Sequence, residues 1–326
     1  MTQFTTRGLL LALAVLASAA AAADDAPRQA LADAWWTGPL LAPNASTFPA
    51  GHALIETYVF DVNSNGQFDA SRHHEPASGG HELGSLTYLI YGLTDRVSVG
   101  LLPRFFYEEP AGAPNSSSPA VGDLGAQVQV GLTSFHEGSL VPATALVLGE
   151  TVPTGRYDAL ANPADGFGAG VYSTSFSWYS QDYLWLPNGR ILRVRLDLTY
   201  AISSSASLRD QSVYGTPVGF RGYAYPGDSF TVDAAAEYSV TRKWVLATDV
   251  VWLHNASTRL SGSEPAAGGA AFVDTQSGSS EYLAVAPAVE YNFSSRVGVI
   301  FGARIFVAGR NAGSSVTTAA AINMAF

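Results

Sequence analysis

Leu192-Arg193-Val194-Arg195-Leu196-Asp197-Leu198-Thr199-Tyr200 alternates without interruption. Leu192, Val194, Leu196, Leu198 and Tyr200 share one parity, and Arg193, Arg195, Asp197 and Thr199 share the other. Successive side chains of a β-strand project to opposite faces, so one face of this segment is wholly apolar while the other carries two Arg and one Asp. Two architectures accept such a strand. A soluble sandwich or lipocalin-like barrel turns the apolar face into its core, whereas a membrane barrel turns it out to lipid and encloses the charges. The alternation alone does not choose between them.

Similar segments recur from residue 52 onward, separated by gaps that are alternately tight and long, with no helical periodicity. The tight gaps are Gly92-Leu93-Thr94-Asp95-Arg96, Phe135-His136-Glu137-Gly138-Ser139, Pro187-Asn188-Gly189-Arg190, Thr241-Arg242-Lys243 and Ser294-Ser295-Arg296, and each reads as a hairpin turn. The long gaps, near 61–81, 108–121, 153–167, 204–228 and 256–280, are rich in Gly, Pro, Ser and Asn, and a shorter one lies near 309–313. This pattern predicts 12 strands centred near residues 56, 87, 102, 127, 146, 175, 196, 234, 248, 287, 302 and 320. The even number puts both ends of the sheet on one side. That is the layout of an all-β, antiparallel, up-and-down transmembrane β-barrel with short periplasmic turns and longer extracellular loops.

Aromatic residues and the last strand favour the membrane. Trp244 and Trp252 share a parity around Leu246, Thr248 and Val250. Their separation is roughly 26 Å along the strand, or about 20 Å along the bilayer normal at the usual tilt, which suits two interfacial girdles. Val316, Thr318, Ala320, Ile322 and Met324 alternate towards a terminal Phe326, an ending that suits recognition by the outer-membrane barrel assembly machinery.

Composition agrees. Of 326 residues 47% are hydrophobic and only 13% charged, which excludes a disordered chain. The absence of Cys excludes a disulfide scaffold and thiolate sites. A formal charge of −10, with Lys243 the single Lys, argues against nucleic acid as a partner. Arg7, an apolar run from Leu9 to Leu16 and small residues from Ala17 to Ala23 read as a signal peptide over 1–23, too short to span a bilayer as a helix. Residues 24–50 then form a periplasmic segment long enough to plug or narrow a lumen, followed by the barrel over 51–326. Trp35 and Trp36 are expected to anchor at the membrane face rather than to cap the pore.

With the apolar parity facing lipid, Arg104, Gln127, Gln129, Arg193, Arg195, Asp197, Asp233, Glu237, Asp249, Glu290 and Arg304 line the lumen. Both signs are present, which suits either ion-pair ladders that brace the wall or a polar path for solute. Any one interior Arg is read first as a brace.

Other candidate sites are weaker. Asp61, Asn63, Asn65 and Asp69 have the oxygen spacing of a calcium loop with Gly66 at its turn, but Arg72 stands where a closing Glu belongs, and an Asn/Gly-rich exterior turn explains the segment equally well. His73, His74, Glu75, His81 and Glu82 could gather a divalent metal in the same exterior loop. His254-Asn255 is the only pair comparable with an outer-membrane lipid hydrolase, so no enzyme is expected. Gly166-Phe167-Gly168-Ala169-Gly170 has no following helix and is not a nucleotide loop.

Several motifs, in order, carry a resemblance. Trp35-Trp36-Thr37-Gly38-Pro39-Leu40, Gly51-His52-Ala53-Leu54-Ile55-Glu56, Tyr91-Gly92-Leu93-Thr94-Asp95-Arg96, Gly122-Asp123-Leu124-Gly125 and Pro153-Thr154-Gly155-Arg156-Tyr157-Asp158 are followed by Ser180-Gln181-Asp182-Tyr183, Leu186-Pro187-Asn188-Gly189-Arg190 and Gly219-Phe220-Arg221-Gly222. Over residues 35–255 the chain resembles the MetA-pathway of phenol degradation family of outer-membrane transporters. The resemblance implies a bacterial outer-membrane channel for passive uptake of small, aromatic or hydrophobic solutes, in contact with outer-membrane lipid and without catalytic residues or a cofactor. The alternatives are a closed structural or adhesive barrel and, more remotely, a lipid hydrolase.

Overall fold

The computed structural model describes residues 27–267 and 269–326; the signal-peptide reading of 1–23 lies outside them. In chain order the strands are β1 Ala53–Phe68, β2 His74–Thr94, β3 Val97–Leu102, β4 Arg104–Pro110, β5 Ala120–Val121, β6 Leu124–Thr133, β7 Ala143–Val152, β8 Ser173–Trp185, β9 Ile191–Ser203, β10 Ala206–Arg209, β11 Arg221–Tyr225, β12 Ser229–Ser239, β13 Trp244–Asn255, β14 Arg259–Ala266, β15 Gly269–Gln276, β16 Ser280–Asn292, β17 Val297–Arg310 and β18 Ala312–Ala325.

Thirteen of these wall strands, together with the short β5, pair in one antiparallel sheet in which β1 bonds both β2 and β18, so the sheet closes. β3 and β4 are one wall strand interrupted at Pro103, which has no N–H to give, and β5 and β6 are another, interrupted at Gly122-Asp123. Across the break the wall stays bonded: Thr87 N donates to Pro103 O at 3.1 Å, and Gly122 N donates to Arg104 O at 3.0 Å. Counted this way the barrel has twelve strands, and every expected centre falls within one of them.

The wall is inverted relative to a soluble protein. On β9, Arg193, Arg195 and Asp197 keep only 4%, 6% and 3% of their surface, while Leu196 between them keeps 39%. On β13, Trp244, Leu246 and Val250 are exposed and Val245, Asp249 and Val251 are buried. A water-soluble sheet would do the reverse, since burying apolar surface drives its folding. Placing Arg at Leu196 would put a charge on the lipid side, and Leu196→Arg is expected to destabilise the barrel by about 2–4 kcal/mol. Unfolding in lipid vesicles followed by Trp fluorescence measures this; a change near zero would mean the face does not meet lipid.

The last strand zips to the first, with Phe326 N on Ala53 O at 2.9 Å, and Phe326 itself is exposed. On the opposite side the long connections 204–228 and 256–279 are not bare loops. β10, β11, β14 and β15 form a second, four-stranded sheet standing outside the wall.

One expected loop is absent. Residues 61–68 belong to β1 and residues 74–81 to β2, paired from Asp61 opposite Leu83 to Phe68 opposite His74, and only the turn Asp69–His73 remains. Strand pairing wins because the polar side chains of Asp61, Asn63 and Asn65 sit above the membrane, where a strand needs no apolar face. The four oxygen donors of the calcium reading thus stand on a paired strand and its turn rather than in one loop. Asp61 and Asn63 stand at alternate strand positions, about 6–7 Å apart along the chain, and β1 bulges between Ser64 and Gly66, where Asn65 Oδ1 accepts from Ser314 Oγ at 2.7 Å. Asp61 faces His81 Nδ1 at 3.0 Å, and Asp69 accepts from Ser71 N at 2.7 Å and His73 N at 2.8 Å. The imidazoles are also apart. His74 packs on Phe68 and His81 on Asp61, and no group of three or more His, Asp or Glu among the described residues is placed to hold a metal.

Candidate functional site: the lumen

Residues 29–50 enter the barrel from the side of the tight turns and leave by the same side. Gln29 is pinned to the rim, accepting at its carbonyl from Trp185 Nε1 at 2.8 Å and donating from Nε2 to Ser239 Oγ at 2.9 Å. Trp35 stays at the rim, with the Arg242 guanidinium 4.4 Å above its ring. The chain then climbs inside. Thr37 N and Gly38 N donate to Glu290 Oε2 at 2.6 and 3.3 Å, and Leu40 N, Leu41 N and Ala42 N donate to Asp249 at 3.1, 3.3 and 2.9 Å. It returns past Gln129, whose Nε2 donates to Asn44 O at 3.0 Å, and Phe48 N donates to Ser98 Oγ at 2.9 Å.

A segment without regular structure leaves its backbone groups unbonded, and the lumen carboxylates supply the acceptors. Leu40 also packs on Ala286, Ala319 and Ala321, small inward residues that make room for it, and on Ile300. Gly92 and Gly298 serve the same close approach. A Cβ on Gly92 would collide with the carbonyls of Phe48 and Pro49, and one on Gly298 with the Thr37 hydroxyl. Trp36 lies within the lumen, 4.6 Å beneath the Arg193 guanidinium and against Tyr183, so the expectation of a membrane anchor is corrected for this residue. Its ring finds a cation there, which lipid headgroups would otherwise provide.

The sequence-selected polar residues all lie on the enclosed side but divide into groups. Arg193 and Arg195 share Glu237: Arg193 Nε donates to Glu237 Oε2 at 2.6 Å, Arg193 also bonds the other oxygen, and Arg195 Nε stands 3.2 Å from Oε2. Arg195 Nη1 donates to Ala42 O at 2.6 Å, tying this cluster to the inserted segment. Asp249 and Glu290 are taken up by backbone N–H groups, as above. Asp197 and Asp233 stand directly opposite each other on β9 and β12. Arg104, Gln127, Gln129, Arg193, Arg195 and Arg304 line the space that remains.

That space is in two parts. An inner cavity of about 600 Å³ lies between the inserted segment and the wall, lined by Trp36, Phe48, Tyr58, Phe60, Tyr88, Phe106 and Tyr179 beside the polar residues. An outer cavity of about 600 Å³ opens under the exterior loops, lined by Glu82, Asp123, Phe167, Val213 and Tyr214. Arg104 and Phe106 border both. Phe167 reaches down from the loop after β7 and stacks on Phe106 at 5.5 Å, and Phe60 meets Phe106 edge-on at 6.2 Å.

Sequence reading missed Phe167, because a Gly-rich entry to a strand gives no sign that its aromatic residue turns inward. The loop that holds it is fixed by polar bonds. Asp165 accepts from Ser117 N and Ser117 Oγ, both at 2.7 Å, and these bonds hold its carboxyl below the usual range. Tyr214 Oη donates to Ala169 O at 2.6 Å; burial and the nearby Asp123 push its hydroxyl up to about 12, so it remains a donor. Gly155 N and Ala169 N both donate to Asp123.

His254 and Asn255, adjacent on β13, point to opposite faces. His254 stacks on Trp252 and Asn255 Nδ2 donates to Ser280 Oγ at 3.3 Å, so the pair does not converge on one site.

The family model described as "Putative MetA-pathway of phenol degradation" matches residues 44–321. Among solved structures, the COG4313 outer membrane channel from Pseudomonas putida F1 superposes with a TM-score of 0.66 at 14% identity, covering 88% of this chain and 100% of that one. The beta domain of the Bordetella autotransporter BrkA gives a TM-score of 0.44 at 10% identity, covering 85% and 100%. The Ralstonia pickettii toluene transporter TbuX gives 0.38 at 10% identity, covering 90% and 95%. At such identities the first likeness speaks for the fold. No curated protein sequence matches the chain.

Proposed function

The chain belongs to the MetA-pathway of phenol degradation family, and from that premise we propose that it is an outer-membrane channel for passive uptake of small aromatic or hydrophobic compounds. The observation that carries this reading is the pair of cavities within the wall, one under the exterior loops and one above the inserted segment, meeting at Arg104 and Phe106. A structural barrel has no use for two cavities of about 600 Å³ each within its wall, because unfilled volume forfeits packing contacts. The inner cavity is walled by aromatic rings whose faces favour planar apolar solutes. The inserted segment blocks a straight aqueous pore, which suits a selective path better than a general sieve.

Porin-deficient cells provide the test. Expression of the chain is expected to raise the initial uptake rate of radiolabelled benzyl alcohol several-fold over a vector control, with no requirement for metabolic energy. An uptake rate equal to the control would favour the closed, structural barrel, and loss of uptake on de-energising the cells would remove the passive mechanism.

A further inference from the structure

The chain is acidic overall, at −10, yet the wall of its inner cavity is basic. Arg104, Arg193, Arg195 and Arg304 line it, and Glu56 is the one carboxylate among the lining residues. The imbalance arises because the inserted segment removes the acids. Its N–H groups occupy Asp249 and Glu290, and Glu237 is spent on Arg193 and Arg195.

Two of the four cations are left over. Among the described residues neither Arg104 nor Arg304 has an ion pair. The buried Nε of each has no hydrogen-bond partner, and Arg304 has only a long contact to Thr317 Oγ1 at 3.4 Å and the Phe306 ring at 5.2 Å. Glu82 lies in electrostatic reach of Arg304 and lines the outer cavity, but makes no ion pair with it. Each side chain is half-buried with its Nε shut away from any acceptor, and the acceptor that best meets a guanidinium fork facing a cavity is a planar carboxylate. Around Arg104 the surfaces are aromatic: Phe106 follows two residues along the same strand face, with Phe60 edge-on to it and Tyr58 and Tyr88 in the same cavity.

We propose that the inner cavity is a binding site for a small aromatic carboxylate, with the carboxylate on Arg104, Arg304 as the second cation and the ring among Phe60, Phe106 and Tyr58. This rests on the channel reading for its physiological use, but not for its test. A cavity of this size admits a single substituted ring. Phenol, neutral at pH 7, would leave the two guanidinium groups unanswered.

The test is isothermal titration of the full mature chain in detergent micelles with benzoate, and with benzyl alcohol as its neutral counterpart. Benzoate is expected to bind saturably, and benzyl alcohol at least about tenfold more weakly, the difference a charge-assisted hydrogen bond makes. Arg104→Gln is expected to lose about tenfold or more in benzoate affinity and Arg104→Lys to recover part of it, while Arg296→Gln, in a periplasmic turn, binds as the parent does. Heat-modified migration in electrophoresis checks that each variant is folded. Equal binding of the two ligands, or an undiminished affinity in folded Arg104→Gln, would overturn the site. Proteoliposome flux of benzoate separates the two proposals: binding without flux would sink the channel and keep the site, and flux of neutral solute without benzoate binding would do the opposite.

Discussion

Glu237→Leu is expected to destabilise the folded barrel by about 3–5 kcal/mol, the cost of leaving a buried charge unanswered. Here one carboxylate answers two guanidinium groups. Glu237 is fully buried, Arg193 and Arg195 keep 4% and 6% of their surface, and both reach its oxygens. Asp197 and Glu290 lie within electrostatic reach of Arg195 and Arg193 but make no ion pair with them. Asp197 faces Asp233 on the neighbouring strand, and Glu290 is engaged by Thr37 N and Gly38 N. The effect depends on charge rather than on lost packing, so Arg193→Met, Arg195→Met and Glu237→Leu combined are expected to recover most of the loss. Urea titration of vesicle-inserted protein, followed by Trp fluorescence, reads both. If the single substitution costs under about 1 kcal/mol, water rather than Glu237 solvates the two cations, and the cluster is wet.

The wall was legible in the sequence because lipid imposes a strict rule. Leu196 and Arg195 cannot share a face, so parity divides β9 into two faces, and Trp244 with Trp252 and the last strand ending at Phe326 decide which of them meets lipid. Above the membrane the rule lapses, and that is where the reading failed. Asp61 to Phe68 carries Asn, Ser and Gly, which mark a loop in most contexts, yet the segment continues β1 because its neighbour β2 offers unbonded edge groups. The exterior sheet of β10, β11, β14 and β15 was hidden for the same reason. Inside the barrel, sequence identified which residues are enclosed but not their partners. Asp249 and Glu290 bind the backbone of residues 37–42, and nothing in composition or periodicity marks a carboxylate that serves main-chain donors. Arg104 and Arg304 acquire their significance only from that displacement.

Deleting residues 27–45 is expected to raise single-channel conductance in planar bilayers several-fold and to shift ion preference towards cations. The size of the first effect follows from geometry. Residues 35–44 cross the lumen between β13, β16, β9 and β6, contacting Glu290, Asp249, Arg195 and Gln129 from one side of the wall to the other. A twelve-strand wall is narrow, so a single extended chain with its side chains takes up much of its section. The second effect has its sign from what is uncovered. Removal strips the N–H groups from Asp249 and Glu290 and lets water and cations reach them, adding two carboxylates to a passage whose inner wall held four Arg against Glu56. Folding should survive, because hydration replaces the lost hydrogen bonds at little net cost and the strand ladder from β18 through β1 to β2 is untouched. Reversal potential across a KCl gradient is the discriminating measurement. Higher conductance with unchanged selectivity would mean that the segment obstructs the pore without masking its acids, and unchanged conductance would mean that the path for ions runs elsewhere.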